Sequence, residues 1–174
     1  MDALFEQALA KIKNGDNHNG RGCYSRFYRL NDTWGFKCSQ YQEEMQFAYY
    51  AQQLGAEHLI APRVGGAYSF HHNDIPYFGY ITECAGDTWE KTGGKVESCY
   101  GLFPVSEEFD ALVALVYDLF GNPPKRYDIN PHYDLHFENV AFMPDNRLVA
   151  IDWGTVGMYA TKRQPQWSIQ PWEC

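Results

Sequence analysis

The chain has 174 residues, 45% of them hydrophobic and 17% aromatic. That suits one domain, or two small lobes around a shared core, and argues against wholesale disorder. A net charge of −8 disfavours a nucleic-acid backbone as partner and suits a basic or small neutral one. No apolar run approaches the ~20 residues that span a bilayer, and the opening MDALFEQALAKIKNGD, with its early acids, does not read as a secretory signal.

Five cysteines (Cys23, Cys38, Cys84, Cys99 and Cys174) give an odd count with no C-x-x-C pair. The pattern disfavours a zinc knuckle or a disulfide scaffold and predicts reduced thiols in a cytoplasmic protein. No internal repeat or low-complexity segment stands out.

Helical spacing of Ala3, Leu4, Phe5, Ala8, Leu9 and Ile12 predicts a helix over 2–13. Residues 14–22 are rich in Gly, Asn and Asp and read as a loop. Strands over 24–30 and 33–38 turn at Asn31-Asp32. A helix over 39–54 follows, with Ser39 as N-cap and Gly55 as its stop. A second hairpin, 67–71 with 75–84, turns at Asn73-Asp74. Residues 85–104 read as a glycine-rich connector with one helical turn. Ser106 caps a helix over 107–120 that Gly121 ends. Two short strands near 139–143 and 148–151 turn at Pro144-Asp145-Asn146, and residues 155–174 show no clear period. This order predicts an α+β protein of two lobes with a cleft near the connector.

The segment His132-Tyr133-Asp134-Leu135-His136-Phe137-Glu138-Asn139, with Asp152-Trp153-Gly154 beyond it, carries the strongest chemical signal. Phosphoryl transfer needs a carboxylate to orient the attacking hydroxyl and accept its proton. It also needs hard oxygen ligands that hold magnesium against the phosphates. Asp134, in a loop, suits the first task. Asn139 and Asp152, at the ends of two strands joined by a tight turn, suit the second. A helical zinc pair of His132 and His136 is the competing reading; Pro131 and the missing Glu of H-E-x-x-H count against it.

With these residues the chain resembles the protein-kinase-like superfamily, whose signature runs H-R-D-L-x-x-x-N and then D-F-G. The resemblance implies a β-rich N-lobe over 1–84, a hinge over 85–105 and a reduced C-lobe over 106–174. It implies ATP and Mg2+ as ligands, with Asp134 as catalytic base, His132 as the structural histidine of its loop, and Asn139 and Asp152 on the metal. Gly20, Gly22 and Ser25 would form the phosphate-covering flap, set between a first strand and the strand 24–30. Lys37 would bind the α- and β-phosphates. Glu44, on the inward face, or its neighbour Glu43 would pair with Lys37 from the next helix, and Glu83 to Ala85 would meet the adenine edge.

Departures from the pattern narrow the reading. Tyr133 replaces Arg, which disfavours control by a phosphorylated activation segment. His136 stands where many serine/threonine kinases have Lys and leaves the acceptor class open. Only 20 residues follow Gly154, without A-P-E, so the peptide-binding platform would come from a partner subunit, from a second copy in a homodimer, or not at all. Compact proteins of this kind occur in bacteriophages and bacteria, where a host cytoplasm would be the setting. The resemblance thus implies a minimal serine/threonine protein kinase, acting on a protein or on itself. The alternatives are a kinase-shaped module that binds a partner protein, and a small-molecule kinase.

Overall fold

The computed structural model describes residues 2–17, 20–21, 25–98, 102–125 and 131–162. It has an α+β architecture of helices and antiparallel sheets. The first part of the chain forms α1 (Asp2–Lys13), β1 (Gly20–Arg21), β2 (Arg26–Arg29), β3 (Trp34–Ser39), α2 (Gln42–Glu57), β4 (Val64–His72) and β5 (Ile75–Glu83). The five strands make one sheet in the order β1-β2-β3-β5-β4.

Local chemistry fixes the turns of this sheet. Asn31 Oδ1 accepts the N–H groups of Thr33 and Trp34, both at 2.8 Å, and closes the β2–β3 turn. Between β4 and β5, Asn73 and Asp74 both adopt positive φ, 52° and 61°. That is the backbone a two-residue hairpin turn requires, and Asn and Asp tolerate it best after Gly.

Strand alternation gives the sheet two apolar faces. Tyr28, Phe36, Cys38 and Ile81 pack under α1 around its buried Ala8 and Ile12, with Phe5 stacked on Tyr68 at 4.0 Å. Phe78 and Tyr80 pack on the other side against Met45 of α2. Lys37 lies opposite Tyr80 in the β3–β5 register, so it projects from the face that α2 covers.

The remaining elements are α3 (Trp89–Thr92), β6 (Val96–Ser98), β7 (Leu102–Pro104), α4 (Glu107–Phe120), β8 (Val140–Phe142), β9 (Leu148–Ala150) and α5 (Gly154–Tyr159). Their core joins α4, through Phe109, Leu112, Val116 and Phe120, to Val140, Leu148, Trp153 and Val156. Ala48 and Ala51 of α2 enter the same core. Burying each large side chain contributes about 1.5–3 kcal/mol. Ser106 caps α4 by accepting the Phe109 N–H at 3.1 Å.

Four expectations need correction. Ser39 ends β3 rather than capping α2; its Oγ accepts the Tyr41 N–H at 3.0 Å in a turn before the helix. Helix α2 runs through Gly55 to Glu57, because that glycine serves packing: a Cβ there would lie 2.6 Å from Cη2 of Trp153. The connector contains the β6–β7 hairpin. The residues after Asp152-Trp153 form α5, where Gly157 lets the helix meet the α2 backbone; a Cβ on it would stand 2.5 Å from the Phe47 carbonyl.

Candidate functional site

Lys37 and Asp152 are 115 residues apart in sequence and meet directly, Nζ to Oδ1 at 3.1 Å. The lysine side chain is only 10% exposed and the aspartate 40%. Asp152 Oδ1 also accepts the Gly154 N–H at 3.2 Å. Burial works to raise the Asp152 pKa. The Lys37 charge and hydrogen bond outweigh it, helped by the Gly154 N–H and the nearby His136, and hold the carboxyl below its ordinary value. The carboxylate is therefore ionised at neutral pH.

Asn139 lies just before β8, and its carbonyl accepts the Ile151 N–H at 3.0 Å. The β8–β9 hairpin thus brings Asn139 next to the residue that precedes Asp152. Asp134 is carried by the turn Pro131–Asp134, in which His132, Tyr133 and Asp134 have φ of 60°, 55° and 66°. Three consecutive non-glycine residues in left-handed backbone cost about 1–2 kcal/mol each.

Packing holds this strained turn in place. Tyr133 is fully buried, and its hydroxyl donates to Gly121 O at 2.8 Å at the end of α4. Burial pushes that hydroxyl up to about 12, so it stays a neutral donor. His132 Nδ1 lies 2.7 Å from the Tyr117 hydroxyl, and its ring meets Phe103 and Phe109 edge-on. Burial lowers its pKa, with Asp110 opposing. Both side chains anchor the turn, and the Asp134 side chain next to them stays 35% exposed.

The other expected residues are placed as follows. Glu44 is not the ion-pair partner of Lys37, which Asp152 takes. Glu44 lies half-buried in the first turn of α2, its pKa raised by burial and by Glu43. Gly20 belongs to β1 and pairs with Phe27, so Gly20–Arg21 is itself the first strand of the sheet rather than a loop following one. Ser25 begins the approach to β2, and Gly22 lies outside the described residues. The Glu83 carboxylate is engaged by Arg63, Nε at 3.1 Å and Nη2 at 2.9 Å. The main chain around Ala85 is tied on either side: Cys84 N–H donates to Thr33 O at 2.7 Å, and Gly86 N–H to Phe142 O at 2.8 Å.

A buried polar chain behind the site was not foreseen. The Tyr80 hydroxyl donates to Gln52 Oε1 at 2.9 Å, and Gln52 Nε2 donates to Thr82 Oγ1 and Pro62 O. The signal was present in the sequence: Gln52 falls on the same helical stripe as Met45, Ala48 and Gly55.

Among the described residues, no three His, Cys, Asp or Glu side chains are grouped to hold a metal unaided. One carboxylate and one amide oxygen suit a hard cation that takes its other ligands from phosphate and water, as magnesium does. Comparison of the chain with models of known protein families and with curated proteins returned no match.

Proposed function

We propose that the chain is an ATP- and Mg2+-dependent phosphotransferase of kinase-like, two-lobed architecture, most simply a minimal serine/threonine protein kinase. The observation that carries this reading is the direct Lys37–Asp152 contact, made between β3 and the end of the β8–β9 hairpin. It brings a cation for phosphate oxygens and a hard anionic ligand to one place, and the β8–β9 hairpin brings Asn139 next to the residue that precedes Asp152.

In this reading Lys37 holds the α- and β-phosphates, and Asn139 and Asp152 hold the metal. Asp134 orients the acceptor hydroxyl and takes its proton. Magnesium, when bound, neutralises charge on the phosphates. The protein's own task is positioning, and the buried anchors Tyr133 and His132 supply it to Asp134. Tyr133 satisfies its hydroxyl inside the core, which supports activity independent of activation-segment phosphorylation. The acceptor would be a Ser or Thr of a protein or of a second copy. The unpaired state of Lys37 with respect to Glu44 favours one alternative, a kinase-shaped binding module.

The test is transfer of labelled γ-phosphate from ATP to a broad protein panel and to the chain itself. Wild type should label, and Asp134→Ala should lose about 10²–10⁴-fold. Equal labelling by both proteins would remove Asp134 from the chemistry. No labelling by wild type, with Mg–ATP still raising the melting temperature, would favour the binding module.

A further inference from the structure

The inference rests on the phosphotransferase reading and concerns how Asn139 is held. The amide nitrogen carries two hydrogens, and two groups face it: Asp134 O at 2.9 Å and His136 Nε2 at 3.0 Å. The first contact decides which limb of the amide is nitrogen. An oxygen in its place would stand 2.9 Å from another carbonyl oxygen with no proton between them.

The second contact then decides the histidine. Nδ2 has only protons to offer, so His136 Nε2 must present its lone pair, and in a neutral ring the proton sits on Nδ1. Nδ1 faces the Glu138 carboxylate at 3.6 Å, which favours a proton there, and the Glu138 N–H at 3.3 Å, which opposes one; the Asp134 carboxylate, 3.9 Å from Nε2 and beyond hydrogen-bond distance, favours a proton on Nε2 instead. The Asn139 contact is shorter and part-buried, whereas the Glu138 N–H contact is exposed, so it prevails. The backbone keeps the ring in reach: His136 N–H donates to Asp134 O at 2.9 Å, and Asn139 N–H to His136 O at 2.8 Å.

We propose that His136 is a positioning residue: as a hydrogen-bond acceptor it fixes the Asn139 amide by its nitrogen and leaves Oδ1 as the limb for a divalent cation. A lysine at this position offers only donors and cannot do this. The lock belongs to the ligand-free protein and does not wait for nucleotide.

Two measurements on the full chain test it. The first is the 15N spectrum of the His136 ring in ligand-free wild type at about pH 8, where an ordinary histidine is neutral. It should show the proton on Nδ1 and a lone pair on Nε2. The second is Mg2+-dependent ATP binding. His136→Lys and His136→Leu should weaken it about 10–100-fold, while His136→Gln, whose amide oxygen is an acceptor, should stay within about threefold of wild type. A proton on Nε2 overturns the lock, as does wild-type affinity in a folded His136→Lys protein. An Nδ1-protonated wild type that binds no Mg–ATP overturns the phosphotransferase reading and the cation half of this one.

Discussion

Lys37 and Asp152 are paired, but they differ in what they lose when the pair is broken. Asp152→Ala leaves an ammonium in a site where only 10% of the lysine side chain reaches solvent. An uncompensated buried charge costs about 3–5 kcal/mol, and the half-open aspartate side lowers the expectation to about 2–3 kcal/mol. Lys37→Met leaves a carboxylate that is 40% exposed and keeps the Gly154 N–H. That loss should be about 1 kcal/mol or less, as for an exposed pair. For a chain of this size, about 2–4 °C accompany each kcal/mol. Thermal and urea unfolding should therefore place Asp152→Ala about 4–12 °C below wild type and Lys37→Met within about 4 °C of it. The double variant should recover most of the Asp152→Ala loss. Greater destabilisation of Lys37→Met than of Asp152→Ala, or losses that simply add in the double variant, would refute this unequal dependence on the ion pair.

Three further outcomes follow from the packing. Tyr133→Phe leaves the buried Gly121 carbonyl without its 2.8 Å partner and should cost about 1–3 kcal/mol in urea unfolding; an unchanged midpoint would show that the hydroxyl does not anchor the turn. Gly157→Ala places a Cβ 2.5 Å from the Phe47 backbone and should destabilise by about 1–3 kcal/mol despite the better helix propensity of alanine. A gain in stability there would contradict the close α2–α5 contact. Burial depresses the His132 pKa, so the unfolded chain binds its proton first and stability should fall as pH drops below the ordinary value of about 6.5. That slope should be absent in His132→Gln, and its persistence there would assign it to another group.

The sequence revealed features that rest on local chemistry and hid those that rest on distant contacts. Asn73-Asp74 and Ser106 each carry their own conformational signal, and both fall where the pattern places them. Ser39 misleads because its hydroxyl makes a capping-type bond two residues too early, to Tyr41 rather than inside α2. Gly55 looks like a stop, yet its role is to admit Trp153 from nearly a hundred positions away. Helix α5 is six residues with two glycines, too short to display a period. The β6–β7 hairpin is masked by the glycines around it.

The same division applies to the site. Chain order and residue type sufficed to select Lys37, Asp134, Asn139 and Asp152 as candidates. They could not show that Lys37 contacts Asp152 instead of Glu44, since that depends on how α2 lies against β3. Nor could they show the left-handed backbone at His132, Tyr133 and Asp134, because none is a glycine and the strain is held by tertiary packing. The amide lock of His136 on Asn139 depends on ring orientation, which no spacing encodes.

Calorimetric titration of ATP into the full chain, with and without Mg2+, for wild type and Asp152→Asn decides whether the site takes a metal-bound nucleotide. Wild type should bind ATP in a Mg2+-dependent manner, and Asp152→Asn should lose that dependence. ATP binding that ignores both the cation and the substitution, or no binding by folded wild type, would contradict the convergence of Lys37, Asn139 and Asp152 on a nucleotide phosphate.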